Sequence, residues 1–392
     1  MKHSSIKVYM RWIVGAALAL AVVFLEQGSA QAYPQWQFSS GSVRCNQCHF
    51  SPAGGGLLRG YGRDAIGEEL SMKEGNGGFL HGAVDLPAWL SLGGDIRGAF
   101  LAHNAQDPNG TKLAVFPMQF DLQVRAALPY GLSIQATGGL RGRIRNDSNE
   151  IPTQNYQPIT ASWLVSREHF LMWQPAAVGP YVRVGRFFAP YGLRMAEHIL
   201  YIRRDLGFNQ LMESYGISGG AVYDDWELHL TAFAPDVLRH IGSDEAGLAT
   251  LFERRVLSQQ GSIGLQFKYG NGPGIDRTMA GIVTKLNLPS LKTQLMAEAN
   301  LVHQELPTVG GSNQFVGAAG FTVFPTRGLI LTLLGERNHQ DIQVKGTAWN
   351  AGTFLLGWFP YPHFEVAAMG RLQFPSGQDT TQTLLLQVHY FL

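Results

Sequence analysis

The sequence predicts an all-β protein, a membrane-spanning antiparallel β-barrel of about 16 strands with a short N-terminal segment of loop and helix. Three features predict this class: a shortage of charge, no long apolar run beyond the N-terminus, and regular alternation of apolar and polar residues from about residue 90. Only 15% of the 392 residues are charged, although 45% are hydrophobic. A soluble globular protein usually carries about 25% charged residues. A helical membrane protein would need apolar runs of roughly 18 residues or more, so the sequence favours strands.

The alternation of apolar and polar residues recurs in several segments of the chain. In residues 116–128, apolar Phe120 and Leu122 alternate with polar Gln119 and Asp121. A strand places successive side chains on opposite faces, so each of these segments has one apolar and one polar face. The same pattern recurs at residues 226–234, 262–269, 291–304, 362–374 and 383–392.

The lengths of the segments and of their connections distinguish a barrel from a soluble sandwich. Segments of about ten to fifteen residues exceed the ~5–6 residues of ordinary strands and are long enough for the ~9–11 that cross a bilayer at a tilt. Short turns containing Pro, Gly or Asp alternate with longer loops near residues 146–159, 189–213 and 235–256. About fifteen strands can be counted, and because barrels have an even number we predict 16, with 14 as the alternative.

The N-terminus predicts export. Lys2, Lys7 and Arg11 precede an apolar run over residues 12–25, and an Ala-x-Ala pattern ends at Ala32. We therefore expect residues 1–32 to be a signal peptide, residues 33–88 to be a separate N-terminal segment and residues 89–392 to be the barrel. Without residues 1–32 the chain has 27 Lys and Arg against 28 Asp and Glu, so its charge predicts no nucleic-acid partner.

The two cysteines of the chain belong to one motif, Cys45-Asn46-Gln47-Cys48-His49. This is the C-x-x-C-H pattern by which c-type haem is attached. Two thiols at this spacing can form thioethers with the two vinyl groups of one porphyrin, and the adjacent His49 can then reach the iron. A redox disulfide would need a thioredoxin-like context, and a zinc site would need a second pair of ligands. The sequence thus predicts one covalently attached haem c, bound by Cys45 and Cys48, with His49 as an iron ligand.

The residues after the motif offer further candidates. A loop rich in Pro and Gly precedes a short helical stretch from Asp64 to Met72. Arg59 and Arg63 are candidate partners of the haem propionates, because a guanidinium group pairs with carboxylates; each can equally be a surface arginine. Met72 and His81 are the nearest candidates for the sixth iron ligand, and each can also be an ordinary packing or loop residue. The segment is short for a cytochrome, so we expect the haem to be covered partly by the rest of the protein.

Arginines also fall on the polar faces of the first strands. Four of them are candidate pore-lining residues: Arg125, Arg141, Arg143 and Arg145. Rings of arginine favour anion passage, but arginines that pair with lumenal acids would brace the barrel wall instead. The Arg-rich and aromatic-rich stretch at residues 185–205 is either a loop folded into the pore or a long external loop. No motif of hydrolases, zinc proteases or nucleotide-binding enzymes is present, so we predict no catalytic residues and no enzyme activity, unless the haem itself acts as a peroxidase.

Together, the signal peptide, the single C-x-x-C-H motif and the barrel-like remainder resemble a bacterial fusion of a c-type cytochrome with an outer-membrane porin. The resemblance is specific over residues 45–49 and architectural over residues 90–392. It implies an outer-membrane location, a haem segment on the periplasmic side, and electron transfer with periplasmic or outer-membrane cytochromes. Two alternatives stay open: an anion or solute porin with a haem-bearing plug or redox gate, and a haem enzyme or sensor. The bilayer and small solutes or ions are the other expected partners.

Overall fold

The structure is a computed structural model that describes residues 34–104, 112–140, 164–209, 212–235, 245–273, 275–306 and 310–392. Within these ranges, sixteen antiparallel strands form one closed barrel in which each strand pairs with its neighbours in the chain. The barrel closes where β1 pairs with β16, with Asp95 opposite Phe391 and Asn104 opposite Gln382. The predicted fold class and the preferred strand number of 16 are confirmed.

The strands are nine to seventeen residues long. In chain order they are β1 Leu90–Asn104, β2 Lys112–Ala127, β3 Leu132–Leu140, β4 Leu164–Trp173, β5 Gly179–Phe187, β6 Ser214–Val222, β7 Trp226–Ala234, β8 Ala246–Val256, β9 Gly261–Gly272, β10 Ile275–Leu288, β11 Thr293–Leu306, β12 Gly310–Thr326, β13 Leu329–His339, β14 Ala348–Tyr361, β15 Phe364–Pro375 and β16 Thr381–Phe391. Among the described residues, three short α-helices lie outside the strands: α1 Cys45–Cys48, α2 Gly60–Leu70 and α3 Tyr201–Arg204. No helix among the described residues is long and apolar enough to cross a membrane.

The two faces of the strands differ as the alternation predicts. On β2, Gln119 and Asp121 point into the lumen and are 0% and 3% exposed, whereas Leu122 is 51% exposed on the outer face. On β3, Ser133 likewise faces the lumen and is buried, whereas Ile134 is exposed on the outer face. The outer face of the wall is apolar, which suits contact with hydrocarbon, and the inner face is polar. Closure of the barrel also leaves no strand edge with unpaired backbone groups.

The two ends of the barrel also differ. One end, the short-turn end, carries tight connections such as Pro129–Gly131 and Pro289–Leu291. The chain enters β1 and leaves β16 at this same end. The opposite end carries the connections after β1, β3, β5 and β7, which include the long ones. Residues 34–89 lead directly into β1 and therefore join the barrel at its short-turn end.

One predicted loop is wrong in part. Residues 235–256 were expected to form a loop, but β8 occupies Ala246–Val256. Its outer face is regular, with Leu248 59% exposed, but its inner face carries both Leu251 and Glu253, which are 4% and 2% exposed. Leu251 packs on a chain segment inside the lumen, so an inward position is apolar and the simple alternation is lost.

That lumenal segment consists of the described residues 188–209 and 212–213 of the connection between β5 and β6, which we call the lumenal loop. It crosses the barrel to the opposite wall, where Tyr191 Oη donates to Asn300 on β11 at 2.9 Å and Tyr201 N–H donates to Glu336 on β13 at 2.6 Å. The sequence left two possibilities for the Arg-rich stretch at residues 185–205, a loop folded into the pore or a long external loop. The structure confirms the loop folded into the pore.

Candidate functional site

The N-terminal segment, residues 34–89, lies in the mouth of the barrel at its short-turn end. Lys285 Nζ on β10 donates to Gln37 Oε1 at 2.6 Å, and Arg255 Nε on β8 donates to the carbonyl of Val43 at 2.8 Å. At the rim, Arg44 Nε pairs with Asp224 Oδ1 in the β6–β7 turn at 2.6 Å. Polar contacts to the wall thus fix the residues that immediately precede the cysteine motif.

The cysteine motif forms a single helical turn. Helix α1 runs from Cys45 to Cys48, and His49 N–H closes the turn by donating to the carbonyl of Cys45 at 3.1 Å. Residues three apart on a helix share one face, so both thiols lie on the same side of α1. The chain then turns back, because Phe50 N–H donates to Leu57 and Arg59 N–H to Cys48 at 3.1 and 2.8 Å.

Glycines make this compact arrangement sterically feasible. A Cβ atom on Gly62 at the start of α2 would lie 2.4 Å from the carbonyl oxygen of Cys48. Only glycine permits so close an approach of α2 to α1. In the loop between the helices, Gly54, Gly55 and Gly56 all have positive φ, at 82°, 79° and 64°, a region that glycine adopts without strain.

The ring of His49 is oriented by the same loop. Its Nδ1 faces the carbonyl oxygen of Gly56 at 3.4 Å, a long hydrogen bond. Metal-binding histidines commonly donate one ring N–H to a backbone carbonyl, which fixes the tautomer and leaves the other nitrogen for the metal. Burial lowers the pKa of His49 to about 4, so the ring is neutral at pH 7, the form that binds a metal.

The two cysteines form no disulfide and are buried or half-buried. Burial raises the pKa of both thiols to about 11. Their contacts are long and weak: Cys45 Sγ lies 3.9 Å from Gln37 Oε1, and Cys48 Sγ lies 3.8 Å from Ser42 Oγ. The sulfur atoms are therefore not committed to strong interactions within the protein.

A cavity separates the N-terminal segment from the barrel wall. It has an empty volume of about 1330 Å³, including its solvent-connected part. Six of its lining residues matter for the chemistry: Cys45, Cys48, His49, Arg97, Arg194 and His363. Both thiols and the adjacent histidine of the motif thus face one cavity, and these residues fit a covalently attached haem.

The predicted propionate partners lie beside the motif without lining this cavity. Arg59 Nε donates to the carbonyl of His49 at 2.9 Å, and its guanidinium lies 4.8 Å from the centre of the Phe50 ring. Arg63 donates to the carbonyl of Leu92. Both side chains therefore brace the segment, and their role towards propionates stays a prediction.

The predicted sixth ligands lie at the outer edge of the segment. Met72 is 48% exposed, and its Sδ accepts a hydrogen bond from Trp358 Nε1 at 2.9 Å. His81 is exposed, and its ring lies edge-on against His363 with 4.8 Å between ring centres. Neither Met72 nor His81 lines the cavity.

The predicted pore-lining arginines are described only in part. Arg125 on β2 stacks over Phe50 of the N-terminal segment, with 4.2 Å from its guanidinium carbon to the ring centre. Arg141, Arg143 and Arg145 lie outside the described residues. Other lumenal arginines pair with acids, as Arg167 does with Asp121 at 2.9 Å and Arg255 with Glu227 at 2.7 Å. These pairs favour the bracing interpretation for the described part of the wall.

Among the lining residues that the sequence analysis did not select as site residues are Arg44, Arg97, Arg194 and His363. They come from the N-terminal segment, β1, the lumenal loop and the β14–β15 turn, so only barrel closure brings them together. Arg194 also donates to the carbonyl of Ala53, which ties the lumenal loop to the loop behind the motif. Two of them had a sequence signal: Arg44 immediately precedes Cys45, and Arg194 belongs to the Arg-rich stretch at residues 185–205.

Comparisons with known proteins give the fold and no family. No family model matches the chain, and no curated protein is similar to it in sequence. Among solved structures, the chain is similar to an anion-selective porin from Comamonas acidovorans, with 12% identity, 77% of this chain and 99% of that chain covered, and a TM-score of 0.58.

Two further structures give the same result. The outer membrane channel DcaP of Acinetobacter baumannii matches with 12% identity, a TM-score of 0.55, and coverage of 77% of this chain and 97% of that chain. Pseudomonas putida OprB matches with 10% identity, a TM-score of 0.55, and coverage of 78% and 94%. At these identities the likeness concerns the fold alone, so the chain has the 16-stranded barrel fold of bacterial outer-membrane porins.

Proposed function

We propose that this chain is an outer-membrane barrel that carries one haem c in its mouth and takes part in electron transfer at or across the outer membrane. The observation that carries the proposal is that Cys45, Cys48 and His49 face one cavity inside the barrel. When bound, haem would supply one-electron redox chemistry. The short-turn end is the periplasmic end in this class of barrel, so the site would face the periplasm.

The residues around the cavity have separable roles in this proposal. Helix α1 presents both thiols for attachment, and the Gly56 carbonyl orients the ring of His49. Arg97 and Arg194 bring positive charge to the cavity, where carboxylates such as propionates would be held. Trp36 contributes apolar cover, and its ring packs on Phe359 with 5.4 Å between ring centres.

A single haem in the mouth of the barrel cannot by itself carry electrons across the membrane. A hydrocarbon core is about 30 Å thick, and a single haem in the mouth does not cross it. The lumenal loop occupies the middle of the barrel, where Leu193 N–H donates to Glu298 Oε2 at 2.7 Å. Transfer across the membrane would therefore need a second redox partner, such as a periplasmic or outer-membrane cytochrome.

A second candidate function is a solute channel in which the N-terminal segment acts as a haem-bearing plug or redox gate. The comparisons favour this alternative more than the first, because the similar structures are described as an anion-selective porin and a channel. In this candidate the contacts of Arg44 and Gln37 with the wall would hold the plug in place. A role as a haem enzyme would require an open iron position.

Reconstitution in liposomes separates the candidates. The purified protein is inserted into vesicles that enclose a redox dye, with reduced cytochrome outside, and ion conductance is measured in parallel planar bilayers. Oxidation of the added cytochrome by the haem, lost in the C45S/C48S variant, is the result expected, whereas delivery to the enclosed dye would require a second redox partner. Ion conductance with no electron exchange by a haem-loaded protein would contradict the first candidate and support the channel.

A further inference from the structure

The β14–β15 turn carries a histidine that the sequence analysis passed over. His363 lies between Tyr361, the end of β14, and Phe364, the start of β15, and it is only 2% exposed. Its φ is 66°, in the left-handed region that costs energy for a residue with a side chain. The turn thus holds this ring in a buried position despite an unfavourable backbone conformation.

Both ring nitrogens of His363 lack a hydrogen-bond partner among the described residues. The main chain at Gly77 and Phe391 lies close to the ring, but neither nitrogen makes a hydrogen bond of acceptable geometry with it. A buried imidazole normally satisfies at least one nitrogen, because an unpaired buried polar atom is costly. An unpaired ring of this kind is suited to bind a ligand that the chain itself does not supply.

The ring of His363 also lines the cavity that Cys45, Cys48 and His49 line. We propose that His363, together with His49, would serve as a histidine ligand of the haem iron, and this rests on the proposed function. The imidazole nitrogen would donate its lone pair to the iron, with no change of oxidation state. Two histidine ligands would give a six-coordinate, low-spin haem with a lower potential than a His–Met pair.

The competing ligands are less suitable on the same geometry. His389 lines the cavity too, but its Nδ1 and Nε2 contact Glu365 Oε2 and Asp95 Oδ1, both at 2.9 Å. Binding iron would break one of these buried pairs, which is costly in a low-dielectric interior. Met72 and His81 lie outside the cavity lining. His81 instead packs edge-on against His363 and covers it from the exposed side.

The test is spectroscopic and uses the full-length haem-loaded protein in detergent. The wild type is expected to be low-spin, to show the near-infrared magnetic circular dichroism of bis-histidine ligation and to bind carbon monoxide slowly or not at all. The H363A variant should become high-spin, bind carbon monoxide readily and regain the low-spin spectrum when imidazole is added. H363M should remain low-spin with a raised potential. The control H81A should keep the wild-type spectrum.

Each outcome decides a different question. A bis-histidine spectrum that survives in H363A, or one that is lost in H81A, would overturn the assignment of His363. A His–Met signature in the wild type would overturn it without any variant, so the test holds even if H363A fails to fold. A folded wild-type barrel without covalent haem would instead contradict the proposed function itself.

Discussion

The lumenal loop and the N-terminal segment both enter the barrel, but they are held in different ways. The lumenal loop contributes eight buried side chains to the main apolar cluster: Tyr191, Leu193, Met195, Leu200, Tyr201, Ile202, Leu206 and Phe208. The N-terminal segment is fixed by polar contacts such as Lys285 to Gln37, and it leaves a solvent-connected cavity against the wall. Dense apolar packing indicates a structural role. A cavity that contains both thiols and the unpaired ring of His363 indicates a binding site instead.

The largest expected effect separates attachment from folding. In the C45S/C48S variant the haem has no thiols to which it can be attached, so covalent haem should be lost completely. The barrel should still assemble, because the strands do not depend on α1. Haem-stained gels and the unboiled mobility of the barrel measure the two properties in one sample. Haem staining that persists in the double variant would contradict covalent attachment through Cys45 and Cys48.

The next largest effect concerns the lumenal loop. Leu206 is fully buried in the apolar cluster, and removing a buried leucine side chain costs about 2–5 kcal/mol. L206A should lower the unfolding temperature of the barrel and raise channel conductance, while haem content stays unchanged. The control L291A alters an exposed turn leucine, 65% accessible, and should change neither. A fall in haem content in L206A would show that the two regions are coupled.

A smaller effect tests the close approach of α2 to α1. In G62A the new methyl group would meet the carbonyl of Cys48 at 2.4 Å, and overpacking of this kind costs about 1–3 kcal/mol. Protease resistance of the N-terminal segment and the fraction of haem-loaded protein should both fall several-fold. The matched control is G60A, where the nearest atom to a new Cβ lies at 3.8 Å. Equal effects of the two variants would rule out a special role for Gly62.

The smallest effect lies at the rim. Asp224 pairs with Arg44 at 2.6 Å, but the Asp224 side chain is 53% exposed, and pairs of this kind contribute about 0–1 kcal/mol. D224N should release the N-terminal segment slightly, as a modest gain in protease cleavage that disappears at high salt. D225N, next to it in the same turn, serves as the control. A large loss of haem in D224N would mean that this pair dominates the attachment of the segment.

Much of this molecule could be predicted from its sequence, and the exceptions have physical causes. The alternation along β2 and β3 predicted which side chains face the lumen, since the strand period is fixed by the backbone. Strand β8 was missed because Leu251 faces the lumenal loop instead of water. The motif at residues 45–49 is local and was evident in the sequence.

The surroundings of the motif were not predictable in the same way. Arg97, Arg194 and His363 are distant in sequence and share a cavity only because β1 pairs with β16 and the lumenal loop folds inward. Candidates chosen by nearness in sequence, Met72 and His81, lie outside that cavity. Nearness to the motif along the chain therefore does not identify the distant residues that line this cavity.

The most direct measurement is haem staining with an absorption spectrum on the folded barrel, purified from outer membranes of cells that mature c-type cytochromes. The sample is run unboiled, and accessible thiols are counted after unfolding. We expect haem to comigrate with the folded full-length barrel and no free thiol to remain on Cys45 or Cys48. A folded outer-membrane barrel with no haem and two free thiols would contradict a haem-bearing mouth.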